Sequence, residues 1–242
     1  LFLSTPQNKT DLDLLLNLKI TAIKIGSDDL TNLPLIKEYS STGLPLFLSC
    51  GMADLSEIST SLNTIGSFDG YPTVLLHTTS QYPTPEKDVN LLKLKTLQNT
   101  FPNIPVGFSD HTQGPLASSL AVALGAVIFE KHFTLDNNLL GPDHWFSENP
   151  LGLKQWCKNI KKSHAMLGNS LLKPTNTEIE NKNEFRRFIV AIRDIQKNEV
   201  FSRKNIGMRR TSQKNSLPPL FFEFLLGRKS VKEFSKGKSI QL

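Results

Sequence analysis

Short apolar runs alternate with helix-like stretches over the first two thirds of the chain. The runs of strand length are Leu1 to Ser4, Ala22 to Gly26, Pro45 to Ser49, Thr73 to Thr78, Pro105 to Ser109 and Ala126 to His132. The stretches between them suit helices packed on a sheet and include 11–18, 33–40, 54–65, 89–100 and 114–125. Strands that alternate with helices predict a parallel sheet with right-handed crossovers. Their spacing, mostly twenty to thirty residues, is typical of a (β/α)8 barrel.

The pattern changes after Leu151. Residues 154–167 form a basic amphipathic stretch that Gly168 ends, and a polar segment over 171–183 is typical of a linker. Short β-type runs follow at 188–191 and 200–201, with a turn at 196–198 between them. The sequence therefore predicts a barrel domain over 1–170, a linker over 171–183 and a small β-rich domain over 184–242.

Polar residues gather where the predicted strands end. Active sites of (β/α)8 barrels are built at the C-terminal ends of the strands. The residues at this edge are Thr5, Lys24, Ser27, Ser49, Ser80, Tyr82, Ser109, His111, Glu130 and His132. Any one of the serines or the threonine, taken alone, is better explained as a helix cap.

Two of these strand ends carry a histidine in matching positions. Phe108-Ser109-Asp110-His111 and Phe129-Glu130-Lys131-His132 lie twenty-one residues apart, which is one strand-helix-strand period. Residues i and i+2 of a strand share a face, so a hydroxyl, a carboxylate and two imidazoles can face one pocket. A single histidine is more often structural than metal-binding, but the matched pair predicts a shared metal ion.

Composition narrows the function class. The 242 residues carry a formal charge of +6, and the basic residues follow no stripe interleaved with aromatics. This favours an anionic small substrate over nucleic acid. No apolar stretch has the length of a membrane span, no secretory signal is recognisable, and the cysteines are two isolated residues, Cys50 and Cys157. We expect a cytoplasmic protein with neither nucleic acid nor membrane as a partner.

Six short motifs, in this order, resemble those of the sialic acid synthases. They are Ile23-Lys24-Ile25-Gly26-Ser27, Leu48-Ser49-Cys50-Gly51-Met52, Tyr82-Pro83-Thr84-Pro85, Gly107-Phe108-Ser109-Asp110-His111-Thr112, Glu130-Lys131-His132-Phe133-Thr134 and Gly141-Pro142-Asp143-His144. Members of this family are nonulosonate synthases, which condense phosphoenolpyruvate with an N-acetylmannosamine-type sugar and release phosphate. The resemblance runs essentially from end to end.

The resemblance implies an architecture. The family has a (β/α)8 TIM barrel followed by a small antifreeze-like (SAF) domain, and its members form domain-swapped homodimers. By this resemblance Arg210 contacts the N-acetyl group of the sugar, although Thr211 replaces the proline usual after that arginine. Residues 1–6 resemble the family's third strand. We therefore expect a barrel that lacks its first two βα units, in a truncated chain that could be inactive alone.

The resemblance also implies roles for the strand-end residues. His111 and His132 resemble ligands of a divalent metal, typically Mn²⁺, with Mg²⁺ and Co²⁺ as alternatives. Asp29 is expected to position the water that attacks C2 of phosphoenolpyruvate, Glu130 to neighbour the metal and its water, and Tyr82 and Asp143 to hold sugar hydroxyls. The phosphoenolpyruvate-binding residues implied by the resemblance are Thr5, Lys24, Ser27, Ser49, Ser80 and Ser109.

Three alternatives stay open from the sequence. The Asp28-Asp29 pair and the following 30–34 segment look more like the branch that makes legionaminic-type acids from a 2,4-diacetamido-trideoxy mannose. A non-catalytic fragment that keeps only binding or dimerising surfaces is the second. The third is another phosphoenolpyruvate-condensing barrel, such as an octulosonate or heptulosonate phosphate synthase. The small C-terminal domain and the absence of an arginine cluster for a sugar phosphate argue against this third alternative.

Overall fold

A parallel sheet forms the centre of the N-terminal part of the chain. The computed structural model describes residues 1–211, 213 and 215–241, and for residue 183 the backbone alone. The strands of this sheet lie side by side in chain order: β1 (Ile23–Ile25), β2 (Leu46–Ser49), β3 (Thr73–His77), β4 (Val106–Asp110) and β5 (Phe129–Lys131). All neighbouring pairs are parallel. The five strands and their parallel direction confirm five of the six predicted runs.

The first predicted strand forms a single bridge instead of a ladder. Ser4 pairs with Ile23, and the amide of Lys24 donates to the carbonyl of Ser4 at 3.1 Å. The three residues before Ser4 are exposed. A strand is favoured where its side chains pack on a half-buried surface, and these exposed residues have little such packing in the described structure.

Helices connect the strands and begin and end at clear signals. They are α1 (Lys9–Asn17), α2 (Leu33–Ser40), α3 (Leu55–Ile65), α4 (Lys93–Thr100), α5 (Leu116–Ala123) and α6 (Pro150–Leu167), with short 3₁₀ turns at Ser27–Asp29, Ser67–Asp69 and Glu86–Asp88. Asp54 and Glu57 form a capping box at the start of α3, and Gly66 ends that helix with φ of 84°. Asn149 caps α6, whose first residue is proline.

Apolar side chains pack between the sheet and these helices. Ile23, Leu46, Leu48 and Leu75 of the strands are completely buried, as is Tyr39 of α2. The core therefore lies on the helical side of the sheet. Side chains alternate along a strand, so the intervening residues point to the opposite face. None of the described helices has the length and apolarity needed to cross a membrane.

The chain divides into two compact units, Leu1–Asn169 and Ser170–Leu242. The second unit contains α7 (Asn176–Phe185), β6 (Arg187–Ala191), β7 (Ile206–Arg210), a 3₁₀ turn (Pro219–Phe221) and α8 (Phe222–Leu225). Strands β6 and β7 are antiparallel, and their buried residues share a separate core with Phe222 and Phe234.

The second unit differs in detail from the sequence prediction. The strand predicted at 188–191 is confirmed, and Asn198, in the predicted turn, has φ of 69°. The run at 200–201 contributes one bridge, between Val200 and Lys229, instead of a strand. Helix α7 covers most of the segment that the sequence predicts as a linker. Leu242, the last residue of the predicted small domain, lies outside the described residues.

Candidate active site

A polar cleft of about 480 Å³ opens at the C-terminal ends of the parallel strands. Each of the five strands of this sheet delivers at least one side chain to it, from the strand itself or from the residues directly after it. The cleft is lined by Lys24, Gly26, Ser27, Asp28, Ser49, Met52, Thr78, Ser80, Tyr82, Ser109, His111, Glu130 and His132. Sequence reasoning predicted nine of these residues, and the structure brings all nine together.

Lys24 is the buried cation of this cleft. The residue is 9% exposed, and its ammonium donates to the Ser49 hydroxyl at 2.7 Å and to the Ile25 carbonyl at 3.0 Å. A carboxylate oxygen of Glu130 lies 3.9 Å from Nζ. Burial lowers the pKa of Lys24, and the nearby Glu130 carboxylate opposes that change. The carboxylate that neighbours this buried ammonium is itself partly exposed to solvent, so the ammonium is suited to bind a further anion.

A cradle of hydroxyl groups lies beside this lysine, formed by Ser27, Ser49 and Ser80 around Gly51. The amide of Gly51 donates to the Ser27 hydroxyl at 3.0 Å. The Ser80 hydroxyl oxygen is buried and has no hydrogen-bond partner among the described residues. Buried polar atoms normally have one, so this hydroxyl is free to bind a ligand oxygen.

Gly51 keeps the cradle open. A Cβ atom at this position would lie 2.4 Å from the Ser80 hydroxyl and 2.8 Å from that of Ser27. Both distances are far shorter than a van der Waals contact, so a side chain here would fill the space that a ligand needs. In the sequence Gly51 is part of the 48–52 motif, which predicts no separate role for it.

Ser109 and Glu130 join the two neighbouring strands β4 and β5 across the cleft floor. The two residues are direct partners in the strand register, and the Ser109 hydroxyl donates to Glu130 Oε1 at 2.6 Å. The same hydroxyl lies 3.4 Å from Nε2 of His111. The carboxylate of Glu130 thus stands between the ammonium of Lys24 and the histidines.

The two histidines meet edge to face. Their ring centroids are 5.1 Å apart at an interplanar angle of 81°. Nδ1 of His111 lies 2.8 Å from the carbonyl oxygen of Thr79, which can only accept, so the proton is on Nδ1 and Nε2 keeps a free lone pair. Burial lowers the pKa of His111, which favours the neutral ring. Nδ1 of His132 lies 3.7 Å from a carboxylate oxygen of Asp143.

An aromatic wall closes one side of this pair. The ring of Tyr82 lies 4.3 Å from that of His111 and 5.5 Å from that of His132, and Phe146 packs on His132 at 5.2 Å. Tyr82 is half exposed at 49%, so its hydroxyl can reach a ligand in the cleft. Burial raises the pKa of Tyr82, and the carboxylate of Asp143 adds to that shift.

Four predicted residues are not among those that line this cleft: Thr5, Asp29, Asp143 and Arg210. Asp143 lies beside His132, at the 3.7 Å distance given above. Thr5 is outside the cleft lining, and Arg210 is exposed at the end of β7 in the second unit. Asp29 accepts a hydrogen bond from the Asn32 side chain at 3.0 Å, whereas its neighbour Asp28 lines the cleft. Both acidic residues belong to one 3₁₀ turn, and residues in such a turn point in different directions, which sequence spacing alone does not resolve. The roles of these four residues, like those of the nine in the cleft, stay predictions.

The imidazole pair also bears on metal binding. Among the described residues no group of three or more His, Cys, Asp or Glu side chains is arranged to hold a metal ion. The two rings are adjacent and both line the cleft, and the hydrogen bond from Nδ1 of His111 to Thr79 leaves the Nε2 lone pair of that ring available. Imidazole is a usual ligand of divalent transition metals, so this donor set fits an ion that takes its other ligands from water or substrate.

The first unit has a cleft at the C-terminal ends of its parallel strands, which is where α/β-barrel enzymes have their active sites. Residues 1–171 match the model of the NeuB family, and the chain belongs to this family. The resemblance to sialic acid synthases is therefore confirmed.

Named relatives agree with this family assignment. The chain is 38% identical to the N,N'-diacetyllegionaminic acid synthase of Campylobacter jejuni over 99% of its own length and 72% of that protein. It is 34% identical to the pseudaminic acid synthase of Helicobacter pylori, over 95% of this chain and 66% of that protein. The solved structure of the spore coat polysaccharide biosynthesis protein SpsE from Bacillus subtilis is 35% identical, with a TM-score of 0.67 over 99% of this chain and 71% of that one. The chain thus spans about two thirds of the length of its relatives.

Proposed function

We propose that this protein is a nonulosonic acid synthase, which condenses phosphoenolpyruvate with an acetamido-mannose-type sugar. The observation that carries the proposal is the pairing of an anion site with an imidazole site in one cleft. Lys24 and the serine cradle form the first, and His111 and His132 form the second. The names of the relatives support the same reaction class.

Phosphoenolpyruvate is the ligand that we assign to Lys24 and the cradle. Its phosphate and carboxylate need a cation and several hydrogen-bond donors, and the site offers an ammonium and three hydroxyls, of which that of Ser80 has no partner among the described residues. Ser109 lines the same cleft, and we assign it to the same ligand. The low exposure of Lys24 strengthens its attraction to an anion, because less water screens the charge.

The sugar is assigned to the other end of the cleft. The Tyr82 hydroxyl and the exposed Asp143 carboxylate can bind sugar hydroxyls next to the histidines. His111 and His132 would hold a divalent metal, for which we propose Mn²⁺, with Mg²⁺ and Co²⁺ as alternatives. When bound, such an ion supplies Lewis-acid activation of the open-chain sugar's aldehyde.

The reaction forms one carbon–carbon bond and one carbon–oxygen bond to water, and it breaks the carbon–oxygen bond to phosphate. C3 of phosphoenolpyruvate attacks C1 of the sugar, and water adds at C2. One proton of that water goes to the aldehyde oxygen, which becomes a hydroxyl, and the other leaves with phosphate as the tetrahedral carbon collapses to the 2-keto acid. Glu130 is placed to accept a proton of that water, and Lys24 to balance the charge of the departing phosphate. Asp28 or Asp29 would orient the water.

We assign the second unit to the antifreeze-like SAF domain of the family. In this proposal Arg210 contacts the acetamido group of the sugar in a domain-swapped homodimer. We also place the protein in the cytoplasm, since Cys50 and Cys157 are free thiols and such thiols are kept reduced there. The proposed acceptor is a 2,4-diacetamido-trideoxy mannose. The N,N'-diacetyllegionaminic acid synthases of Campylobacter jejuni and Legionella pneumophila, 38% and 35% identical, support this choice.

A sugar panel tests the proposal. The protein is incubated with phosphoenolpyruvate, Mn²⁺ and one sugar at a time, and both phosphate release and product mass are measured. We expect the 2,4-diacetamido sugar to give the fastest release, N-acetylmannosamine a slower one, and arabinose 5-phosphate none. Turnover with arabinose 5-phosphate and with no acetamido sugar would overturn the assignment.

A further inference from the structure

A buried ion pair lies directly behind the two histidines. Asp110 and Lys131 are register partners on β4 and β5, and Lys131 Nζ lies 3.3 Å from Asp110 Oδ2. Asp110 is fully buried, and the side chain of Lys131 is 2% exposed. Side chains alternate along a strand, so this pair faces the helical layer while its neighbours face the cleft. Each member of the pair immediately precedes one of the histidines.

The carboxylate of Asp110 fixes the end of β4 to its surroundings. Oδ1 accepts from the amide and the hydroxyl of Thr112 at 2.8 and 2.7 Å. Oδ2 accepts from the hydroxyl of Ser118 on α5 at 2.5 Å. The indole N–H of Trp156 on α6 donates to that hydroxyl at 2.9 Å and lies 3.4 Å from Oδ2. His111 lies between Asp110 and Thr112 in the chain, so these bonds hold the backbone on both sides of it.

Lys131 and Glu148 connect the chain segment that follows His111 to the segments around His132. The ammonium of Lys131 donates to the carbonyl of Thr112 and, at 3.5 Å, to that of Gly114. The carboxylate of Glu148 accepts from the amide of Gly114 at 3.1 Å. The amide of Glu148 donates to the carbonyl of His132 at 2.9 Å. The turn after His111 is therefore bonded to the segments before and after His132.

We propose that Asp110, Lys131 and Glu148, here called the strand-end clamp, are positioning residues that set the distance and angle between His111 and His132. The proposal rests on the proposed function for the chemistry of the histidines. None of the three clamp residues lines the described cleft. An apolar pair of similar volume would fill the space between sheet and helices without the desolvation cost of two buried charges. The charged pair is thus explained by the geometry that it imposes on the strand ends.

The test combines metal affinity with the geometry of the rings. Lys131→Met and Asp110→Asn are made in the full chain, Mn²⁺ affinity is measured by calorimetry, and a crystal structure is determined for each variant. We expect Mn²⁺ affinity to fall about tenfold or more, the usual effect of losing a residue that orients a ligand. We also expect the ring separation and angle to depart from 5.1 Å and 81°. Lys131→Arg keeps the charge and the donors and should restore most of the affinity.

A core variant separates positioning from loss of stability. Leu62→Ala on α3 removes buried packing away from the clamp, and we expect a lower Tm with unchanged Mn²⁺ affinity and ring geometry. If Lys131→Met does not fold, Glu148→Ala provides the same measurements, because Glu148 is only partly buried. If the ring centroids of His111 and His132 stay 5.1 Å apart at 81° in the clamp variants, the proposed positioning role is wrong. Absence of Mn²⁺ binding by the unaltered chain would instead count against the proposed function, and the ring geometry would still decide on the clamp.

Discussion

Ser109 donates a 2.6 Å hydrogen bond to Glu130, its direct partner on the neighbouring strand. Because the register is parallel, the bond fixes the carboxylate at the height where both strands end. There it lies 3.9 Å from the ammonium of Lys24, and one residue of chain separates it from His132. Glu130 is therefore the residue shared by the anion-binding end and the imidazole end of the cleft.

Glu130→Gln is expected to separate chemistry from binding. Glutamine keeps the shape and can still accept from Ser109, but it cannot take a proton from water. We expect kcat to fall by about 10² or more, the usual contribution of a general acid or base, with a much smaller change in KM for phosphoenolpyruvate. Phosphate release at saturating sugar measures both constants. Exposed Glu180→Gln on α7 is the control, and an unchanged kcat in Glu130→Gln would rule out the proton-transfer role.

Gly51→Ala is expected to block the serine cradle without unfolding the protein. The added Cβ would lie 2.4 Å from the Ser80 hydroxyl, so it would occupy the space beside that hydroxyl. We expect affinity for phosphoenolpyruvate to fall at least about tenfold, as for the loss of one hydrogen bond to a charged group. Calorimetric titration with phosphoenolpyruvate measures the effect.

The double variant Gly51→Ala/Ser80→Ala tests the cause. Removal of the Ser80 hydroxyl relieves the closest contact, so the Tm should return toward that of the unaltered protein. Affinity should stay low, because a cradle hydroxyl is still missing. Full recovery of affinity in the double variant would show that Ser80 does not bind the ligand.

Much of the first unit could be predicted because its signals are local. The strands and His111 follow from apolar runs that stop where a parallel sheet ends, and Gly66 and Gly168 mark helix ends. The role of Asp110 could not be predicted in the same way. It lies in the same run as Ser109, and only the sheet register and the positions of α5 and α6 show which face it uses.

The second unit shows the limits of local reasoning more clearly. Strand β7 ends in Met208-Arg209-Arg210, which has no apolar alternation, and it forms because β6 offers a pairing edge. Helix α7 contains few apolar residues and was therefore not predicted. Its start is marked by a capping box of Thr175 and Glu178, a signal that the sequence does contain.

His132→Ala is expected to abolish the metal dependence of turnover. With one imidazole left, the site has a single neutral nitrogen donor, and two donors are already few for a divalent ion. We expect Mn²⁺ binding to weaken more than tenfold, as measured by electron paramagnetic resonance titration of free Mn²⁺. Exposed His164→Ala on α6 is the control for a surface imidazole. Metal affinity that is equal in the two variants would exclude His132 as a ligand.

Glu199 is expected to make the stability of the second unit depend on pH in the acidic range. The amide of Gln196, the guanidinium of Arg193 and the side-chain amide of Asn205 donate to its carboxylate at 3.0, 2.6 and 3.1 Å. These hydrogen bonds lower the pKa of Glu199 from 4.5 to about 2. The folded state thus favours the ionised form. The stabilisation is fully present above about pH 4.5 and is lost as the pH falls toward 2.

Glu199→Gln removes this linkage, because glutamine does not titrate. We expect the variant to be less stable than the unaltered chain at pH 7, and the difference to shrink between pH 4.5 and 2. Hydrogen exchange of the backbone amides over 195–206, measured on the full chain at several pH values, reports opening of this region. Glu180→Gln on α7 controls for the loss of one negative charge from the same unit. A difference in protection that stays constant down to pH 2 would show that the three donors do not favour the ionised carboxylate.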